Sequence, residues 1–149
     1  MPVVPSAKTF FEEVRAVYAE TATALGLSGP IETTFVLPVS SYKGGGVEYE
    51  FSLDFREGGV NCAAGIEVNP VTTLIVDIEP LAIAAGIVEK RGDISYSAQN
   101  LKQLRKSLVG QTGYVQRVHP LLTDAATAED LMRRAGAREW HGRRSTPEQ

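Results

Sequence analysis

The sequence predicts an α+β fold: a four-stranded antiparallel β-meander preceded by an N-terminal helix and followed by two or more C-terminal helices packed on its apolar face. Three observations carry this. Strand-like runs succeed one another between residues 31 and 79 without a helical interruption. Helix-start chemistry precedes them at Thr9, and amphipathic helical spacing returns only after Ser97. A chain of 149 residues with 43% hydrophobic and 22% charged residues can bury one core without metals or crosslinks. One domain is expected over residues 1–142, with a frayed tail over 143–149.

Thr9-Phe10-Phe11-Glu12 has the form of a capping box, in which Thr9 bonds an orphan amide and Glu12 bonds back. Phe11, Val14, Tyr18 and Leu25 recur at helical spacing, and Gly26 can supply a left-handed terminator. Residues 10–25 are therefore expected to be helical. After Ser28-Gly29-Pro30, the β-branched and aromatic run 31–37 reads as the first strand, closed by Pro38.

Residues 40–46 read as a loop, and 47–55 as the clearest strand, with five apolar residues alternating with four polar ones. Gly58-Gly59 turns the chain into a third, small-sided strand over 60–68, across which the first helix is expected to lie. Asn69-Pro70 leads into a fourth strand over 72–79, ended by Pro80. Residues 80–88 suit either a short helix or a buried extended segment.

Ser97 is a plausible cap for a helix with Leu101, Leu104 and Leu108 inward and Lys102, Arg105 and Lys106 outward. Gly110 and Gly113 are expected to interrupt it before helical spacing resumes at 114–118. A last helix is expected from Thr127, with Asp130 as capping partner, to Gly136.

Composition narrows the function classes. The first five residues, Met1-Pro2-Val3-Val4-Pro5, carry no secretory pattern, and the most apolar stretch, 71–88, is broken by Asp77, Glu79 and Pro80. No membrane span is expected. Cys62 is the single cysteine, which suits a reducing compartment, and a cytoplasmic location is expected. The net charge of −3 hides an asymmetry: four Lys and Arg against twelve Asp and Glu up to Glu89, then eleven against six. Such a division marks either an interaction surface or two halves that neutralise each other on packing.

The motifs of common chemistries are missing. Lys43-Gly44-Gly45-Gly46 precedes a strand, whereas a phosphate loop needs the amides of a following helix. His119 and His141 have no metal-ligand spacing, and Cys62 sits in a small-residue strand that suits an inert buried thiol. No cofactor is implied. The basic later helices have no interleaved aromatic residues for base stacking, so no nucleic-acid partner is expected. Trp140 reads as a lid on the core, with an exposed binding anchor as the alternative.

The carboxylates form the more informative set. Alternation puts Glu48, Glu50 and Asp54 on one face of the 47–55 strand, where Glu67, Asp77 and Glu79 can join them from neighbouring strands, with Lys43 in the adjoining loop. Like charges so close are either well solvated or compensated by a partner's cations.

The expectation is a non-enzymatic protein-binding module whose acidic face (Glu48, Glu50, Asp54, Glu67) and 40–46 loop, with Lys43, engage a basic protein. In economy it resembles the bacterial immunity proteins, which neutralise basic toxin domains by charge complementarity and fast association. The competing expectation is a small-molecule binder or cofactor-free enzyme with a cavity between sheet and helices, walled by Tyr49, Phe51, Phe55, Tyr114 and Trp140. Homo-oligomerisation through the first strand's edge is compatible with either.

Overall fold

A computed structural model describes residues 4–141; the tail expected over 143–149 lies outside the described residues. The order is helix, five strands, three helices and a final strand. Helix α1 (Ala7–Leu25) starts three residues earlier than Thr9 suggests, because Ser6 is the cap and its hydroxyl accepts from the Thr9 amide at 3.2 Å. Gly26 ends it at φ 71°, as its left-handed freedom allows. Phe10, Val14, Tyr18, Thr21 and Ala22 form its buried stripe.

The fold class holds, but the sheet has six strands rather than four, in the order β1-β2-β3-β4-β5-β6 with every neighbour antiparallel. β3 (Val47–Asp54) and β4 (Gly59–Asn69) match the expected second and third strands to within one residue at either end. β1 (Ser28–Thr33) ends before the apolar run does, so residues 34–38 are a connection rather than strand.

The expected 40–46 loop is in fact β2 (Val39–Gly44), with Gly45-Gly46 as its turn. Its side chains alternate by register but not in burial: Ser40 and Tyr42 are buried on the helix side, Ser41 is buried on the other face, and Lys43 is exposed there. β5 (Thr72–Asp77) is shorter than expected, and Glu79 belongs to the following helix, not to the sheet. β6 (Arg138–His141) has four exposed residues and no apolar alternation, so only its ladder with β5 defines it.

Helix α2 (Ile78–Ala84) resolves the ambiguous 80–88 stretch in favour of helix for its first part, with Pro80 in the first turn where no helical bond needs its N–H. Glu79 is only 2% exposed, and its carboxylate accepts from Tyr96 Oη at 2.8 Å and Gly92 N at 3.0 Å. Those bonds tie the 85–100 connection to α2, and the same connection also meets the sheet. There the Val60 amide donates to the Tyr96 carbonyl at 2.9 Å and the Ala98 amide to that of Gly58 at 2.7 Å. The connection thus covers the part of β4 that β5 leaves unpaired.

Helix α3 (Leu101–Val118) is capped by Asn100, whose side chain accepts from Gln103 N, and not by Ser97. Gly110 and Gly113 do not interrupt it. Leu104 and Leu108 are buried as expected, but Leu101 is 42% exposed. A short 3-10 turn (His119–Leu122) follows, then α4 (Ala125–Arg134), capped by Asp124 rather than Thr127, while Asp130 pairs with Arg134.

The helices and the inward residues of the sheet share one core cluster. α1 lies over β1, β2 and β3 and against α3, and it is α3, with α2 and α4, that meets β4. The expected crossing of α1 over the small-sided strand is therefore taken by α3. Among the described residues no helix is long and apolar enough to cross a membrane.

Candidate functional site

Antiparallel alternation gives the sheet two faces with different fates. Tyr42, Val47, Tyr49, Phe51, Leu53, Val60, Cys62, Ala64, Leu74 and Val76 point to the helices and are buried. The opposite face carries no helix among the described residues. Register places its rows side by side: Lys43, Glu48, Gly65, Ile75 and Arg138 in one, and Ser41, Glu50, Ala63 and Asp77 in the next.

Glu67 and Trp140 flank Thr73 on this face, and Asp54 lies at its far end opposite Gly59. Five carboxylates therefore share this face, and the described strand residues that join them there include the cations Lys43 and Arg138. Lys43 reaches Glu67 at 3.9 Å, an exposed contact of little energetic weight. Asp77 accepts from Asn61 Nδ2 at 2.9 Å, and Asp54 accepts from the Arg56 and Glu57 amides, so the hairpin turn fixes its carboxylate. The negative field reaches through the sheet: burial first, then the charges of Asp77 and Glu50, push the Cys62 thiol well up.

The basic residues of the later helices lie on the other side of the molecule and are largely spoken for. Arg105 makes two bonds to Glu13 of α1, and Arg133 bridges Glu129 and Glu139. Arg134 pairs with Asp130, and Arg117 donates to the Ile87 carbonyl. Part of the charge asymmetry is thus neutralised by packing, yet none of these cations covers the acidic face.

The aromatic set expected to wall a cavity is dispersed. Tyr49 and Phe51 have no exposed surface, Tyr114 is 5% exposed on α3, and Phe55 and Trp140 lie half-exposed at the surface. Trp140 stands on the outer side of edge strand β6. The Tyr49 hydroxyl lies 2.7 Å from His119 Nδ1, the one buried contact in which two titratable side chains meet at hydrogen-bond distance among those described. Burial lowers the His119 pKa and raises that of Tyr49, so a neutral ring faces a protonated phenol.

The surface grooves are lined by other residues. One of about 520 Å³ runs between α1 and α3 past Val17, Thr21, Val109 and Gly113. Another of about 340 Å³ lies at the end of the outer face, beside Leu37, Asp54, Glu57, Asn61 and Tyr96. Among the described residues no group of three or more His, Cys, Asp or Glu side chains is arranged to hold a metal ion.

Sequence reasoning did not find Phe35 and Val36, which are 96% and 81% exposed. Their β-propensity assigned them to a strand, and only the end of β1 at Thr33 releases them. Fold and site together define a class: an α+β protein whose antiparallel sheet packs the described helices on one face and gathers carboxylates on the other. Comparison with protein-family models, curated proteins and solved structures yields no match.

Proposed function

We propose that this chain is a cytoplasmic, non-catalytic protein-binding module whose open sheet face receives a basic partner protein, in the manner of a bacterial immunity protein. The observation that carries the reading is the clustering of Glu48, Glu50, Asp54, Glu67 and Asp77 on the one sheet face that no described helix covers. A rigid sheet presents these charges at fixed spacing, so little conformational freedom is lost when a complementary surface arrives. The single cysteine, which can form no disulfide within the chain, is what favours a reducing compartment.

Steering by such a face acts chiefly on association rate and fades with salt. The test is recovery of partners from native lysate at low and raised salt, using the intact protein and a Glu48→Lys, Glu50→Lys variant whose folding is checked by circular dichroism. A basic partner lost with the variant, and an association rate about tenfold or more slower at low salt, is expected. Equal recovery by the folded variant would refute the reading.

A further inference from the structure

We infer that Phe35 and Val36 form the apolar anchor of this interface and fill a hydrophobic pocket, rimmed by Lys or Arg, on the basic partner. The inference rests on the reading of the acidic face and extends it to the end of the sheet where β1 stops.

Phe35 is 96% exposed and Val36 81%, the two most exposed large apolar side chains among those described. Their loop is held at its base. Pro38 is buried, and its carbonyl accepts from the Leu53 amide at 3.1 Å, which ties the connection to β3. The same register brings the β3–β4 turn alongside, because Val39 pairs with Ser52 and β3 ends at Asp54. Phe55, 46% exposed, thereby joins the same end of the molecule.

An aromatic side chain standing clear of the surface on a tethered loop has the form of an interface hot spot, whose energy comes from complete desolvation in a partner's pocket. Its surroundings select the partner's chemistry. The adjoining groove of about 340 Å³ presents Asp54 and Glu57 beside Leu37 and Tyr96, a lining that accepts a long basic side chain by its charge and its stem. A second copy seated here would bring the same carboxylates together. An anionic membrane would meet acidic neighbours where insertion needs basic ones.

The test places the photo-crosslinking residue benzoylphenylalanine at position 35 of the full chain, and at Val109 of α3, 57% exposed, as a control. Both are irradiated in native lysate, and the protein crosslinked from position 35 is identified and purified. It is then titrated with wild type, Phe35→Ser and the Glu48→Lys, Glu50→Lys variant. A basic protein crosslinked from position 35 and not from 109 is expected. Phe35→Ser should weaken it at least about tenfold, mainly through faster dissociation and with an unchanged salt dependence.

Unchanged affinity of Phe35→Ser, where charge reversal still weakens binding, overturns the anchor and leaves the acidic-face reading standing. If neither substitution matters, both are overturned. Crosslinking to a second copy of the chain, co-sedimentation with phosphatidylcholine–phosphatidylglycerol vesicles that Phe35→Ser abolishes, or no crosslinked protein from position 35 also overturns the anchor. Because Phe35 touches almost nothing in the fold, Phe35→Ser is expected to keep the wild-type melting temperature, which separates a binding defect from unfolding.

Discussion

At the scale of single residues, His119 shows how burial turns a titratable group into a structural one. The ring is 7% exposed and meets the Tyr49 phenol at 2.7 Å, so its neutral form is the one the fold accepts. Burial lowers its pKa below the ordinary histidine value of about 6.5. In the unfolded chain the ring gains a proton as pH falls through about 6.5, while the folded ring does not. The stabilisation is therefore fully present above about pH 6.5 and is lost as pH falls toward and through the lower folded value. Urea midpoints measured from pH 7.5 to pH 5 should decline through this window, and His119→Gln should flatten that decline. A decline of equal steepness in the variant would assign it to other groups. Tyr49→Phe leaves the ring nitrogen buried without this partner and is expected to cost about 1–3 kcal/mol.

At the scale of elements, what was legible followed from how strongly one period dominates a segment. β3 was visible because Val47, Tyr49, Phe51 and Leu53 alternate with polar residues, and the same alternation correctly placed Glu48, Glu50 and Asp54 on one face. β2 hid behind serines and glycine, and β6 is an edge strand with nothing apolar to bury on its inner side. Glu79 was assigned to the sheet because the strand pattern runs on into α2. Only its bonds to Tyr96 and Gly92 reveal a buried acceptor that fixes a connection.

Helix α3 shows a different failure, since two glycines in a helix weaken it without ending it when packing on both sides is good. Their environments make opposite predictions. A Cβ at Gly113 meets nothing within 4 Å, so Gly113→Ala should stabilise the protein by up to about 1 kcal/mol. A Cβ at Gly110 would stand 3.1 Å from Ile94 Cγ2, so Gly110→Ala should gain less or lose stability as the 85–100 connection gives way. Thermal melts of the two variants decide it, and equal gains would mean that the Ile94 contact imposes no constraint.

For the whole molecule the decisive feature is that charge is sorted by side rather than by chain half. The division read along the chain is partly cancelled in space, since Arg105 of α3 is bonded to Glu13 of α1. The carboxylates of the outer sheet face have no helix over them among the described residues, because the helices all pack on the other face. The molecule is thus electrically polar, with its acidic side on the outer face of the sheet. A flexible polycation has no shape preference and should report this polarity directly. Titration of the nitrogen-15-labelled protein with decalysine is expected to shift the amide resonances of Glu48, Glu50, Asp54, Glu67 and Asp77 and to leave those of α3 in place. The shifts should vanish near 0.5 M salt, where screening acts over only a few ångströms. Perturbation centred instead on α1 or α4 would mean that their carboxylates dominate the field, and the open sheet face would lose its claim to steer a partner.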